Sequence, residues 1–131
     1  MKTGSKYLID THAWIECMQG TKRGKKVRDI LINKKNTIIV ADATFAELYC
    51  WATREGKMPG PLLTQVRKYA TVFELYTNIW VEAAHYRQRM RTKKKRFGLI
   101  DASLLAIQEL TGATIVTGDA HFDGLKNVLM I

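Results

Sequence analysis

Short apolar runs alternate with longer amphipathic stretches along most of the chain. Residues 6–9, 37–40, 72–75, 114–116 and 128–130 are brief and rich in Ile, Val, Leu, Tyr or Phe, and they read as strands. Between them lie stretches with helical spacing, roughly residues 11–18, 23–33, 43–55, 61–69, 79–93 and 102–110. In the fifth, Ile79, Ala83, Tyr86 and Met90 recur at i, i+4, i+7 and i+11. The sixth, DASLLAIQEL, is apolar nearly all round, which predicts a buried helix. Strands that alternate with helices, with few hairpin signals, predict an α/β fold: a mostly parallel sheet of about five strands, covered on both faces.

The sharpest interruption is GKMPGPL, which holds the only prolines, Pro59 and Pro61. It separates two helical patterns and is too short to join two domains. At 131 residues the expectation is therefore one domain spanning 1–131. No apolar run reaches the length of a membrane span. Asp10 interrupts the apolar stretch that a secretory signal would need, so a cytoplasmic protein is expected. Cys17 and Cys50 belong to no C-x-x-C pair and read as free thiols in a reducing compartment.

Charge changes the picture more than composition does. The 21 Lys and Arg exceed the 12 Asp and Glu, giving a net charge of +9 and pointing to a polyanionic partner. The few acids stand in a recurring setting. Asp10 follows YLI, Glu47 is expected in the first turn of the helix after IIVA, Asp101 follows LI, and Asp119 follows IVTG. In an open parallel sheet the carboxyl ends of the strands share one edge, where ligands bind, so these acids should converge on one cleft. Each has a local alternative. Asp10, Asp101 and Asp119 would serve as helix N-caps, and Thr44-x-x-Glu47 has capping-box spacing. Taken together they repel: two carboxylates about 4 Å apart cost roughly 4 kcal/mol at an effective dielectric near 20. A divalent cation offsets that, and oxygen-only donors suit Mg²⁺ or Mn²⁺ rather than zinc. Asp42 directly precedes a helix and reads as its N-cap. Asp123 is open between an accessory ligand and a turn residue, and His121 between a substrate contact and a surface or helix-start role.

YLIDTHAWIE, FAEL, IDASLLAIQEL and IVTGDAHFDGL, in that order and spacing, resemble the PIN domain family, most closely its small VapC-type toxins. The resemblance covers essentially the whole chain. It implies a three-layer α/β/α nuclease that cleaves RNA with Mg²⁺ or Mn²⁺, using one or two ions. The family's four acids map to Asp10, Glu47, Asp101 and Asp119, and Thr117 matches the hydroxyl of its T-x-D pattern. Asp10, Asp101 and Asp119 are expected to hold metal, and Glu47 to orient or deprotonate the attacking water. One departure stands out: where many relatives have a further acid two residues after the fourth, this chain has His121. The toxin branch also implies a small antitoxin partner and a homodimer. A housekeeping RNA-processing nuclease and a non-catalytic RNA-binding module are the alternatives.

Residues 87–96, RQRMRTKKKR, carry seven positive charges and run toward Asp101. On a continuing helix Arg87, Arg91 and Lys94 would share a face, and with Lys95 they would hold an RNA backbone at the cleft. The alternative is a solvated face. Residues 22–28, KRGKKVR, form a second cluster open to the same two readings, and Trp14, Trp51 and Trp80 read as core or interface rather than base-stacking residues.

Overall fold

Alternation along the central strands decides the layering. In the computed structural model, which describes residues 4–131, the strands are β1 (Lys6–Ile9), β2 (Thr37–Ala41), β3 (Thr71–Phe73), β4 (Thr114–Thr117) and β5 (Val128–Met130). Leu8, Ile39 and Ile115 face one side of the sheet, while Ile9, Val40 and Val116 face the other. Both faces are therefore apolar and both must be covered. Helices α1 (Thr11–Gln19), α2 (Lys22–Ile32), α3 (Asp42–Arg54) and α4 (Pro59–Tyr69) contribute Trp14, Val27, Leu48 and Val66 to one side. Helices α5 (Thr77–Met90) and α6 (Leu99–Thr111) contribute Ile79, Ala83, Leu104 and Ile107 to the other, joined by Phe97 and Phe122. Leu8, Ile9, Ile107 and Ile115 are wholly buried, and each such side chain contributes about 1.5–3 kcal/mol.

The sheet order is β3-β2-β1-β4-β5, and every pairing is parallel. The expected three layers are present, and the sheet is wholly rather than mostly parallel. From β1 the chain builds outward through β2 and β3, then crosses to place β4 on the other side of β1. The strand order thus reverses between β1 and β4, where parallel sheets open a crevice at their carboxyl ends.

Five local expectations need correction. The third strand lies at Thr71–Phe73 rather than 72–75, because Leu75 turns into the core. Asp42 is the first residue of α3, not its N-cap, and its Oδ2 accepts from the Leu75 backbone N–H at 3.1 Å. Because α3 starts at Asp42, Glu47 falls in the second turn and forms no capping box with Thr44. Helix α5 ends at Met90, short of Lys93, so Arg87, Arg91 and Lys94 do not share a helix face. Cations crowd the sequence there, and like charges one turn apart disfavour helix. Past Met90 the chain turns, bringing Phe97 into the core at 0 % exposure. Helix α6 begins at Leu99, earlier than the expected 102, so Asp101 lies inside its first turn. Trp14 and Trp51 are buried, as expected of core residues.

Candidate active site

Asp10, Glu47, Asp101 and Asp119 line one cleft of about 220 Å³, together with Thr11, His12, Ile15, Ile100 and Leu104. A hollow of about 500 Å³ around Tyr7, Asp29 and Asn36 is larger but holds no such convergence of acids. Chemistry rather than size picks out the cleft.

Each acid is fixed by the element that carries it. Asp10 leaves β1 with extended backbone and caps α1, its Oδ1 accepting from the Ala13 N–H at 2.8 Å. Its Oδ2 accepts from the Thr117 hydroxyl at the end of the neighbouring β4, which in turn accepts from the Asp119 N–H at 2.9 Å. The T-x-D pattern is thus a clamp that joins the first acid to the fourth. Glu47 projects from α3 and accepts from the Thr11 hydroxyl. Asp101, at the third position of α6, accepts from the Gly98 N–H at 3.2 Å, and its Oδ2 lies at hydrogen-bond distance, 3.1 Å, from His121 Nδ1. Asp119 caps the short 3-10 turn Ala120–Phe122 by accepting from the His121 N–H at 2.9 Å. The capping roles open in the sequence are therefore real for Asp10 and Asp119, and they coexist with a shared cleft.

Burial, with mutual repulsion adding to it, makes charge costly in this cluster. Burial pushes the Asp10 carboxyl up to about 6; the Thr117 and Ala13 hydrogen bonds and His12 oppose this, and Asp119 adds to it. Burial also raises the Glu47 carboxyl, against the Thr11 hydrogen bond, and Asp101 raises it further. Ligand atoms of Asp101, Asp119 and His121 lie within 4.8 Å of one another. A small divalent cation fits this set: convergent carboxylates repel one another, and a cation at their focus relieves both that repulsion and the desolvation.

His121 is the site residue that the sequence left undecided. Its bond to Asp101 spans 20 positions, so local patterning carries no trace of it. The available signal was its place, where many relatives of the resembled family have an acid. Asp123 is exposed, and its backbone carbonyl, not its carboxylate, is engaged, accepting from Lys94 Nζ at 2.9 Å. Lys94 Nζ also donates to the His121 carbonyl at 2.8 Å, and Arg91 Nε donates to the Phe97 carbonyl at 3.0 Å. Part of the basic run thus braces the loop that carries Asp119. Arg87 is half-buried, with Nε unpartnered, and Lys95 is exposed.

Comparison with known proteins agrees with this fold. No functionally curated protein matches the sequence. Among solved structures, a toxin–antitoxin complex from Klebsiella pneumoniae superposes with a TM-score of 0.73 at 19% identity, covering 95% of this chain and 96% of that one. VapBC2 of Rickettsia felis, bound to a fragment of its promoter DNA, gives 0.70 at 16%, covering 96% and 97%. Mycobacterium tuberculosis VapC20, a toxin that cleaves the sarcin-ricin loop, gives 0.67 at 15%, covering 91% of each. At these identities the likeness is one of fold. The family model for the PIN domain, however, matches residues 7–127, nearly the whole sequence, and the chain belongs to the PIN domain family.

Proposed function

We propose that this chain is a metal-dependent endoribonuclease that hydrolyses RNA phosphodiester bonds, acting as the toxin of a toxin–antitoxin pair. The observation that carries the reading is the meeting of Asp10, Glu47, Asp101 and Asp119 in one cleft at the strand-order reversal. Asp10, Asp101 and Asp119 hold Mg²⁺ or Mn²⁺, as one or two ions. When bound, such a cation supplies charge neutralisation at the phosphate and acidifies water.

The chain's own groups do the rest. Glu47 orients the attacking water and accepts its proton at the carboxylate, and burial raises its basicity toward that task. The Thr11 hydroxyl fixes the rotamer of Glu47, and the Thr117 hydroxyl fixes that of Asp10. Arg87, Arg91, Lys94 and Lys95 supply positive charge to the RNA backbone. The nuclease domain spans residues 1–131. The antitoxin partner is supported by the toxin–antitoxin neighbours, which share the fold from end to end. The protein acts in the cytoplasm as a homodimer; among the described residues, no helix is long and apolar enough to cross a membrane.

The test is cleavage of single-stranded RNA in Mn²⁺. Asp101→Asn and Asp119→Asn should each lower the rate by about 100-fold or more, while Asp42→Asn retains it, because Asn can still accept from the Leu75 N–H. Wild-type rates in both cleft variants would refute the assignment.

A further inference from the structure

His121 stands where the resembled family often has an acid, yet its ring points into the same cluster. Nδ1 lies 3.1 Å from Asp101 Oδ2 and 3.6 Å from Asp119 Oδ1. Neighbouring ligand atoms of an octahedral shell with bonds near 2.1 Å are about 3.0 Å apart, so these separations already approach those of adjacent ligands. The ring is also held in place. The His121 N–H donates to Asp119 Oδ1, its carbonyl receives Lys94 Nζ, and the ring lies 6.2 Å from the Phe97 ring, centroid to centroid. Phe97 is wholly buried, so the imidazole rests against a fixed wall. About a third of the His121 side chain remains exposed, which leaves the ring reachable from solvent.

We propose that His121 is a metal ligand through Nδ1, completing an oxygen–oxygen–nitrogen donor set with Asp101 and Asp119, and that this set makes the chain prefer manganese to magnesium. The inference rests on the metal-nuclease reading above and adds the identity of the ion. Magnesium is a hard cation that favours oxygen and gains little from imidazole; first-row transition ions bind imidazole well. Replacing a carboxylate by an imidazole also removes one negative charge from the cluster, which weakens magnesium binding further. In the ion's absence the same Nδ1 sits at hydrogen-bond distance from Asp101 Oδ2, so an ion would take the place of that contact and the ligand geometry is preformed.

The test is pulsed electron paramagnetic resonance of the Mn²⁺-loaded full chain, with competition by Mg²⁺, on wild type, His121→Asp and His12→Asn. His12 is the control because it lines the same cleft and its Nδ1 is buried and unpartnered. The expected result is nitrogen hyperfine coupling in wild type and in His12→Asn, and none in His121→Asp, which still binds Mn²⁺. Wild type should favour Mn²⁺ over Mg²⁺ by about tenfold or more beyond the ratio in His121→Asp. Bound Mn²⁺ without nitrogen coupling in wild type overturns the proposal and leaves the nuclease reading standing; so does coupling that survives in His121→Asp and vanishes in His12→Asn. Failure of every protein to bind Mn²⁺ overturns both. The wild-type spectrum needs no variant, so a misfolded His121→Asp would not rescue the idea.

Discussion

Asp10 is 6% exposed and sits where charge is costly, because burial outweighs its hydrogen bonds to Thr117 and Ala13. Its folded pKa of about 6 lies above the usual 3.8, so the native state holds the proton more tightly than the unfolded chain. The sign of the linkage follows. Well below pH 4 both states are protonated and there is no penalty. As pH rises toward 6 the unfolded chain ionises first and stability falls, and above 6 the loss is complete, at about 3 kcal/mol. Asn can keep the cap on Ala13 but carries no charge. Asp10→Asn should therefore be more stable than wild type by about 1–3 kcal/mol at pH 7–8 in chelator, with the gap closing near pH 4. Urea unfolding across that range checks it. Adding Mn²⁺ should reverse the order, since a cation that binds only the native wild type stabilises it. The place of Asp10 was legible in sequence because a strand-end acid followed by a helix is a local pattern. The bond of His121 to Asp101 and the grip of Asp42 on Leu75 were not, because each joins residues remote in sequence.

Helix identities were legible for the same local reason, and helix ends were not. Two forces set the ends here: burial of Phe97 and Leu75, and the crowding of cations after Met90. Pro59 opens α4 two residues before the expected start, since the first turn tolerates a missing N–H. Packing between α1 and α2 depends on a residue that helical periodicity does not flag. A Cβ at Gly24 would lie 2.0 Å from the Glu16 carbonyl oxygen, and that backbone oxygen cannot swing aside. Gly24 therefore lets α2 rest directly on the end of α1, while the Thr21 hydroxyl caps α2 by accepting from the Gly24 N–H at 3.0 Å. Gly24→Ala should cost about 1–3 kcal/mol by overpacking, despite the better helix propensity of Ala. Gly60, in the first turn of α4, meets nothing beyond its chain neighbours, but Pro61 follows it and crowds a Cβ on helical backbone, so Gly60→Ala should change stability by less than about 1 kcal/mol. Denaturant midpoints of the two variants, read side by side, separate close packing from propensity.

Across the whole molecule an acidic cleft is set in a surface with a net charge of +9, and the basic run 87–96 joins the two. The structure divides that run by task. Lys94 braces the loop carrying Asp119 and His121, whereas the side chains of Lys93, Lys95 and Arg96 are exposed and, among the described residues, make no hydrogen bond or ion pair. Free cations release counterions when they meet phosphate, and each contact on a single strand contributes about −0.7 to the slope of log affinity against log salt. In a Glu47→Gln background, chosen to bind RNA without cutting it, replacing Lys93, Lys95 and Arg96 by Gln should flatten that slope by roughly 2. Lys94→Gln alone should change the slope by less than about 1, since it removes one charge. Its larger effect should fall on cleavage in the Glu47 background restored to wild type, at every salt concentration, because the loop then loses its ties at the His121 and Asp123 carbonyls. Fluorescence anisotropy against salt reads the first effect and single-turnover cleavage reads the second. A triple variant with an unchanged slope would make residues 93–96 a solvated face and turn the search for the RNA path to the basic start of α2. There Arg23 already reaches the Gly118 carbonyl, at 3.3 Å, beside Asp119.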